Sequence, residues 1–201
     1  IKLKKEIKVS VRDVVDYVYS EGDILPVMVQ RNNLRDGTKI HQEIQERDSG
    51  EKEVYVKYDC ELDDYKIYLQ GRIDLLVNND GEYQIIEIKS THLLEDLLYQ
   101  ANLAHIAQAK FYGFMLYEYF TLNKNNPLII SVLYVNKYNY KRKYFTESYC
   151  FDELKSFFYD TINKYLQFRR LLDSFNELKF PSISLLSFPF NNYRKGQLDL
   201  I

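Results

Sequence analysis

The residues with the most chemical potential fall on two neighbouring strand-like segments. Asp74 ends Gly71-Arg72-Ile73-Asp74, and Glu87 and Lys89 flank Ile88 in Glu87-Ile88-Lys89. Between them lies Asn78-Asn79-Asp80-Gly81, the strongest hairpin signal in the chain. Glu87 and Lys89 are two positions apart and share a strand face, while Ile86 and Ile88 point the other way. A turn at Asn79-Asp80 brings Asp74 near Glu87 across the ladder. Two bare carboxylates about 4 Å apart repel by roughly 4 kcal/mol at an effective dielectric of about 20. A divalent cation between them removes that cost, and hard oxygen donors favour Mg²⁺ or Mn²⁺. A lysine two residues beyond a ligand then holds a water, or the charge developing on a phosphate. The alternative is a solvated strand face with an ion-pair ladder among Arg72, Asp74, Glu87 and Lys89, each pair contributing about 0–1 kcal/mol.

The elements that must carry these residues follow from periodicity. Ser10 reads as an N-cap with Asp13 at N3, followed by an apolar stripe of Val11, Val14, Val15 and Val18. A second helix is expected over Leu34 to Arg47, ending before Asp48-Ser49-Gly50. Glu53 to Leu62 reads as a strand and Asp63-Asp64 as a turn. From Lys66 to Val77 the sequence alternates, with Ile67, Leu69, Ile73, Leu75 and Val77 on one face and Tyr68, Gln70, Arg72 and Asp74 on the other. Tyr83 to Ser90 is the returning strand of an antiparallel meander. Helix is expected from about Asn102 to Tyr119, strands over Pro127 to Asn136 and Tyr140 to Cys150, and a long amphipathic helix over Asp152 to Leu172. The expected order is α, α, β, β, β, α, β, β, α.

Composition excludes several classes. The 201 residues are 46% apolar and 28% charged, a globular rather than disordered profile. Lys plus Arg is 27 against 29 Asp plus Glu, so the net charge of −2 carries no basic surplus of the kind nucleic-acid binders use. Contact with phosphates therefore needs focused charge or bound metal. No run approaches about 18 uninterrupted apolar residues, and no apolar core follows the charged start Ile1-Lys2-Leu3-Lys4-Lys5. The expectation is a cytoplasmic protein without membrane contact. Cys60 and Cys150 cannot build a disulfide framework or a four-cysteine metal or iron–sulfur site, and both are expected to be buried small hydrophobes.

Two further motifs flank the acidic unit: Gly37-Thr38-Lys39-Ile40-His41 upstream, and Gln108 and Tyr112 at i and i+4 downstream. By itself His41 reads as a partly buried, hydrogen-bonded histidine, and Gln108 and Tyr112 as an ordinary helix face. Together with Gly71-Arg72-Ile73-Asp74 and Glu87-Ile88-Lys89, they give a sequence that resembles the RecB-type branch of the PD-(D/E)xK nucleases. That pattern is a His on a helix, an Asp after a strand Gly, an Asp or Glu-x-Lys on the next strand, and a Gln-x-x-x-Tyr helix. The match spans Ser10 to Tyr119. It implies an α/β fold with a restriction-endonuclease-like core, a mixed central β-sheet flanked by α-helices. It also implies a metal-dependent deoxyribonuclease, an exonuclease on single strands or free ends in DNA repair and recombination.

By the same resemblance, Asp74, Glu87 and Lys89 would be catalytic. His41, Asp74, Glu87 and the Ile88 carbonyl would hold one or two Mg²⁺ or Mn²⁺ ions. Gln108, Tyr112 and Arg72 would contact DNA, with Arg72 pairing with a neighbouring carboxylate as its alternative role. The implied metals supply the nucleophile and neutralise the phosphate without a basic protein surface. Two departures are visible: the four cysteines that hold an iron–sulfur cluster in some relatives are missing, and Glu87 stands where Asp is more frequent. The alternatives are a non-catalytic DNA-binding or helicase-positioning module with a nuclease-like fold, and an interaction domain whose charged strand face is solvated. His105 could line the same cleft or be structural, and His92 reads as a loop residue.

Lys137-Tyr138-Asn139-Tyr140-Lys141-Arg142-Lys143-Tyr144 interleaves cations with aromatics, a mix that suits single-stranded nucleic acid or a solvated hairpin tip. Arg169-Arg170 complements a helix C-terminal dipole. The tail Phe188-Pro189-Phe190, with Gln197 beyond it, resembles the segment that opens DinG-like helicase domains. The expected organisation is a nuclease domain over 1–180, then a linker (Pro181–Ser184) and the start of a helicase domain over 181–201.

Overall fold

Alternation of Lys and Glu with Ile and Val makes an edge strand of the first residues, β1, Lys5–Ser10. Sequence reading missed it, because the strand is short and its charged residues look like a solvated lead-in to the helix. The structure, a computed structural model, describes residues 4–20, 40 and 42–186. Ser10 ends β1 and caps α1, Val11–Tyr19: its Oγ accepts the Asp13 N–H at 3.1 Å and donates to the Asp13 carboxylate at 2.7 Å. Residues 42–47 form α2. Residues 34–39 and His41, the rest of the second expected helix, lie outside the described residues.

The remaining strands are β2 (Glu51–Leu62), β3 (Tyr65–Asn79), β4 (Glu82–Thr91), β5 (Leu128–Asn136) and β6 (Arg142–Tyr149). Helix α3 is Leu103–Tyr119, N-capped by the Asn102 side chain, and α4 is Phe151–Ser184. The six-stranded sheet runs β1-β3-β4-β5-β6, with β2 also paired to β3. The β1–β3 and β4–β5 pairs are parallel and the others antiparallel. The fold is therefore the mixed sheet flanked by helices that the sequence implied.

Strand β3 organises the site. Strand β2 covers one edge of it from Tyr65 to Leu76. The other edge is shared: β1 pairs Tyr65 to Gln70 and β4 pairs Leu75 to Asn79. Gly71 to Asp74 is left between them as a notch in the sheet. The hairpin turn falls on Asp80-Gly81, both with positive φ (53° and 95°), one residue later than expected. The Asn78 side chain fixes it by accepting the Gly81 N–H at 2.9 Å.

Regular alternation along β3 does not hold across the notch. Gly71 faces Tyr112 of α3, whereas Leu75 packs with Ile40, Ile44, Ile86 and Ile88 on the α2 side of the sheet. The single apolar face expected for Ile67 to Val77 is thus broken between them. The break coincides with an irregularity on β2: Glu53 has φ 52°, and the ladder skips both Glu53 and Asp74, pairing Lys52 with Leu75 and Val54 with Ile73.

Helix α3 is buried almost all round, with the sheet on one side and aromatic contacts to α4 on the other. Phe114 and Phe158 rings lie 4.4 Å apart, and Tyr58 of β2 meets both edge-on. Cys60 is buried as expected, but Cys150 is exposed: it precedes α4 and gives its backbone N–H to Glu153 at 2.8 Å. The chain divides into two compact units at Tyr165/Leu166. In the second, α4 passes through Pro181 to Ser184, where a linker was expected, and Ser182 Oγ donates to Lys179 O at 2.8 Å. The tail motif from Phe188 to Gln197 lies outside the described residues. No helix among the described residues is long and apolar enough to cross a membrane.

Candidate active site

At the notch, side chains complete what the backbone ladder leaves open. The last paired residues of the hairpin are Leu75 and Ile86. Beyond them Asp74 Oδ2 accepts the Ile88 N–H at 2.7 Å, in place of a strand-to-strand bond. The later turn sets Asp74 opposite Glu87 when the register is continued. Burial pushes the Asp74 carboxyl up to about 6, against the pull of the Ile88 N–H and the Lys89 ammonium, and Glu53 adds to the rise.

Glu87 is only 1% exposed. That overturns the solvated-ladder reading, because α3 lies across this face of β4. Lys89 Nζ stands 2.7 Å from Glu87 Oε1 and donates to Gln108 Oε1 at 3.2 Å. Gln108 Nε2 in turn donates to the Tyr112 hydroxyl at 3.2 Å. That hydroxyl also meets the Arg72 backbone, so the chain of bonds returns to β3. Burial first, then the nearby Glu87 and Asp74 charges, raise the Tyr112 pKa and keep it a phenol. Tyr112 packs so closely on Gly71 that a Cβ there would lie 2.5 Å from its Cε1. The glycine of Gly71-Arg72-Ile73-Asp74 is therefore required by a tyrosine forty-one residues downstream in the sequence.

The Arg72 side chain is exposed, and its backbone is what joins the site. His41 lies outside the described residues. His105 is structural: its Nδ1 lies 2.7 Å from the Tyr134 hydroxyl, which also accepts the Asn102 N–H at 2.9 Å. Burial, aided by the Lys89 and Arg12 charges, pushes His105 down to about 3. His92 sits 3.1 Å from the Tyr138 hydroxyl. The Lys/Tyr-rich turn is held by surface acids: Lys141 pairs with Glu95, and Arg142 Nη1 reaches both Asp48 oxygens at 2.9 Å.

Three residues at the site escaped the sequence reading. Buried Gln45 uses one amide to donate to both Glu53 Oε1 and the Asp74 carbonyl, each at 2.8 Å. Glu53 faces Asp74 where the ladder skips. Arg12, in the first turn of α1, acts on both Asp74 and His105. No pattern marked Gln45 or Glu53; Arg12 carried only its place beside an N-cap. Among the described residues, no three His, Cys, Asp or Glu groups converge closely enough to ligate a metal ion.

The model of one family, the PD-(D/E)XK nuclease superfamily, matches residues 13–194 and so includes Asp74, Glu87, Lys89, Gln108 and Tyr112. The chain belongs to this superfamily. No curated protein matches it. Among solved structures, the crystal structure of SSO0001 is similar at 18% identity and a TM-score of 0.51, over 80% of this chain and 77% of that one. An alkaline exonuclease from Laribacter hongkongensis aligns at 11% identity and a TM-score of 0.42, over 84% and 94%. The first likeness is one of fold. Superfamily membership gives the coarse conclusion, a nuclease-type domain.

Proposed function

We propose that this domain is a metal-dependent deoxyribonuclease, an exonuclease that hydrolyses phosphodiester bonds at single-stranded or free DNA ends in repair and recombination. The observation that supports it most is the buried Glu87–Lys89 pair beside Asp74, tied through Gln108 and Tyr112 to both strands. An acid held at 1% exposure with an ammonium against it is poised chemistry rather than solvated surface.

The donor set fits a hard divalent cation. Asp74 and Glu87 offer carboxylate oxygens, and Lys89 occupies a cation's place 2.7 Å from Glu87 Oε1. Ile88 sends its N–H to Asp74, and its carbonyl leaves from the same strand edge. We assign Asp74, Glu87, the Ile88 carbonyl and His41 as ligands of Mg²⁺ or Mn²⁺; the His41 role rests on the resemblance. When bound, the ion supplies an acidified water and neutralises the non-bridging oxygens. Lys89 steadies the attacking water and the charge on phosphorus, while Gln108 holds its ammonium in place. Tyr112 braces β3 against α3, and Arg72 and Arg12 offer cations to the flanking phosphates. The helicase-like tail motif supports a nuclease–helicase polypeptide, while the nuclease family match extends to residue 194.

The test is degradation of end-labelled single-stranded DNA with Mg²⁺, Mn²⁺ or EDTA, by wild type, Asp74→Asn and Glu87→Gln. Metal-dependent shortening from one end, lost in both variants, is expected. Equal products from wild type and variants would remove Asp74 and Glu87 from the chemistry, and no products with any metal would point to a non-catalytic DNA-binding module.

A further inference from the structure

A cavity of about 300 Å³ opens on the sheet face that carries Glu87 and Lys89, over the two strands next to theirs. Register fixes its position. Glu87 pairs with Val132 of β5, and Val132 pairs with Phe145 of β6. Val132 and Phe145 line the cavity, so it lies over β5 and β6, about 5–10 Å from Glu87 at ordinary strand spacing. A stacked nucleic-acid strand covers that within about three nucleotides.

The lining is chemically mixed. Val132, Ile106 and Phe145 make apolar walls, and Gln100 and Glu147 bring polar groups to the rim. Tyr99, one of the lining residues, is 84% exposed, so its ring is open to a stacking partner. Tyr149 also lines the cavity, and the Lys110 ammonium sits 4.1 Å from the centroid of its ring. A largely apolar cavity with an exposed ring and hydrogen-bonding groups in its lining, and a cation against Tyr149, is the environment a nucleobase and its phosphate require.

We propose that this cavity takes one unpaired nucleobase of the strand being cut, stacked against Tyr99 and Phe145. The inference rests on the nuclease reading and sharpens it: a base held here must leave its duplex, so the substrate is a single strand or a frayed end.

The test uses the full chain with Ca²⁺ in place of Mg²⁺ and a short single-stranded oligodeoxynucleotide carrying 2-aminopurine at successive positions. Wild type is expected to change the fluorescence of one position far more than its neighbours. Tyr99→Ala, a surface change, should weaken binding about tenfold, the scale of one lost stacking contact. Glu147→Phe should abolish the position-specific signal by filling the cavity. It also removes a negative charge, so simple electrostatics predicts tighter binding, and that result would overturn the proposal. So would a uniform response along the oligonucleotide. With Mg²⁺, both variants should raise KM for single-stranded DNA. Cleavage by wild type without a position-specific signal would remove the pocket and keep the nuclease; the signal without cleavage under any metal would do the reverse.

Discussion

Lys89 with Glu87 and Lys141 with Glu95 are the same chemical pair in two environments. The first lies under α3, with side chains 19% and 1% exposed, and its lysine is held again by Gln108. The second lies on the β5–β6 turn, where the lysine is 62% exposed. In water such a pair is screened and nearly neutral in its effect. Under the helix each charge depends on the other, because removal of one strands its partner in a poor solvent. Sequence alone allowed a solvated reading of both the Lys/Tyr-rich turn and Glu87-Ile88-Lys89; burial separates them.

The comparison is broken most severely at Lys89. Lys89→Met leaves Glu87 buried without its cation and should cost roughly 3–5 kcal/mol of stability in EDTA, read as a fall in Tm. Mg²⁺ should restore much of it while activity stays down about a thousandfold. No Tm change in EDTA would show that the pair is not coupled as described. Next is Gly71→Ala. The added methyl meets Tyr112 at 2.5 Å, so the tyrosine must swing away from the Arg72 backbone and Gln108. The expected result is about a hundredfold loss of kcat, the penalty for a small misplacement of reacting groups, with substrate binding largely kept.

A smaller effect tests His105, which packs beside the site without belonging to it. Its pKa of about 3 lies below the unfolded value of about 6.5, so the unfolded chain binds the extra proton between these limits. Stability present above pH 6.5 is therefore lost as pH falls toward 3, by up to about 1.4 kcal/mol per pH unit. His105→Gln should flatten that acid limb in urea titrations at several pH values. Smallest of all, Lys141→Ala should leave Tm and cleavage unchanged; a measurable loss would mean the turn matters as the site does.

Much of this arrangement was legible because local rules and tertiary demands agree. Ser10 caps α1, Asn102 caps α3, and Asp80-Gly81 turns the hairpin, each through bonds within a few residues. Asp74, Glu87, Lys89, Gln108 and Tyr112 carried their spacing in plain view, and the structure gathers them. What stayed hidden depends on distant partners. The switch of faces along β3 coincides with a positive φ at Glu53 on another strand, and the need for glycine at 71 follows from Tyr112. Gln45 looked like any polar helix residue until its amide met the Asp74 carbonyl. Strand β1 was lost because six residues with alternating charge carry too little signal before a helix cap.

The most direct measurement sets Lys89→Ala beside Lys141→Ala in cleavage of end-labelled single-stranded DNA with Mg²⁺. Full activity in Lys141→Ala and its loss in Lys89→Ala is the predicted result. Equal activity in the two variants, whether kept or lost, would contradict the claim that the buried lysine, and not the exposed one, does the chemistry.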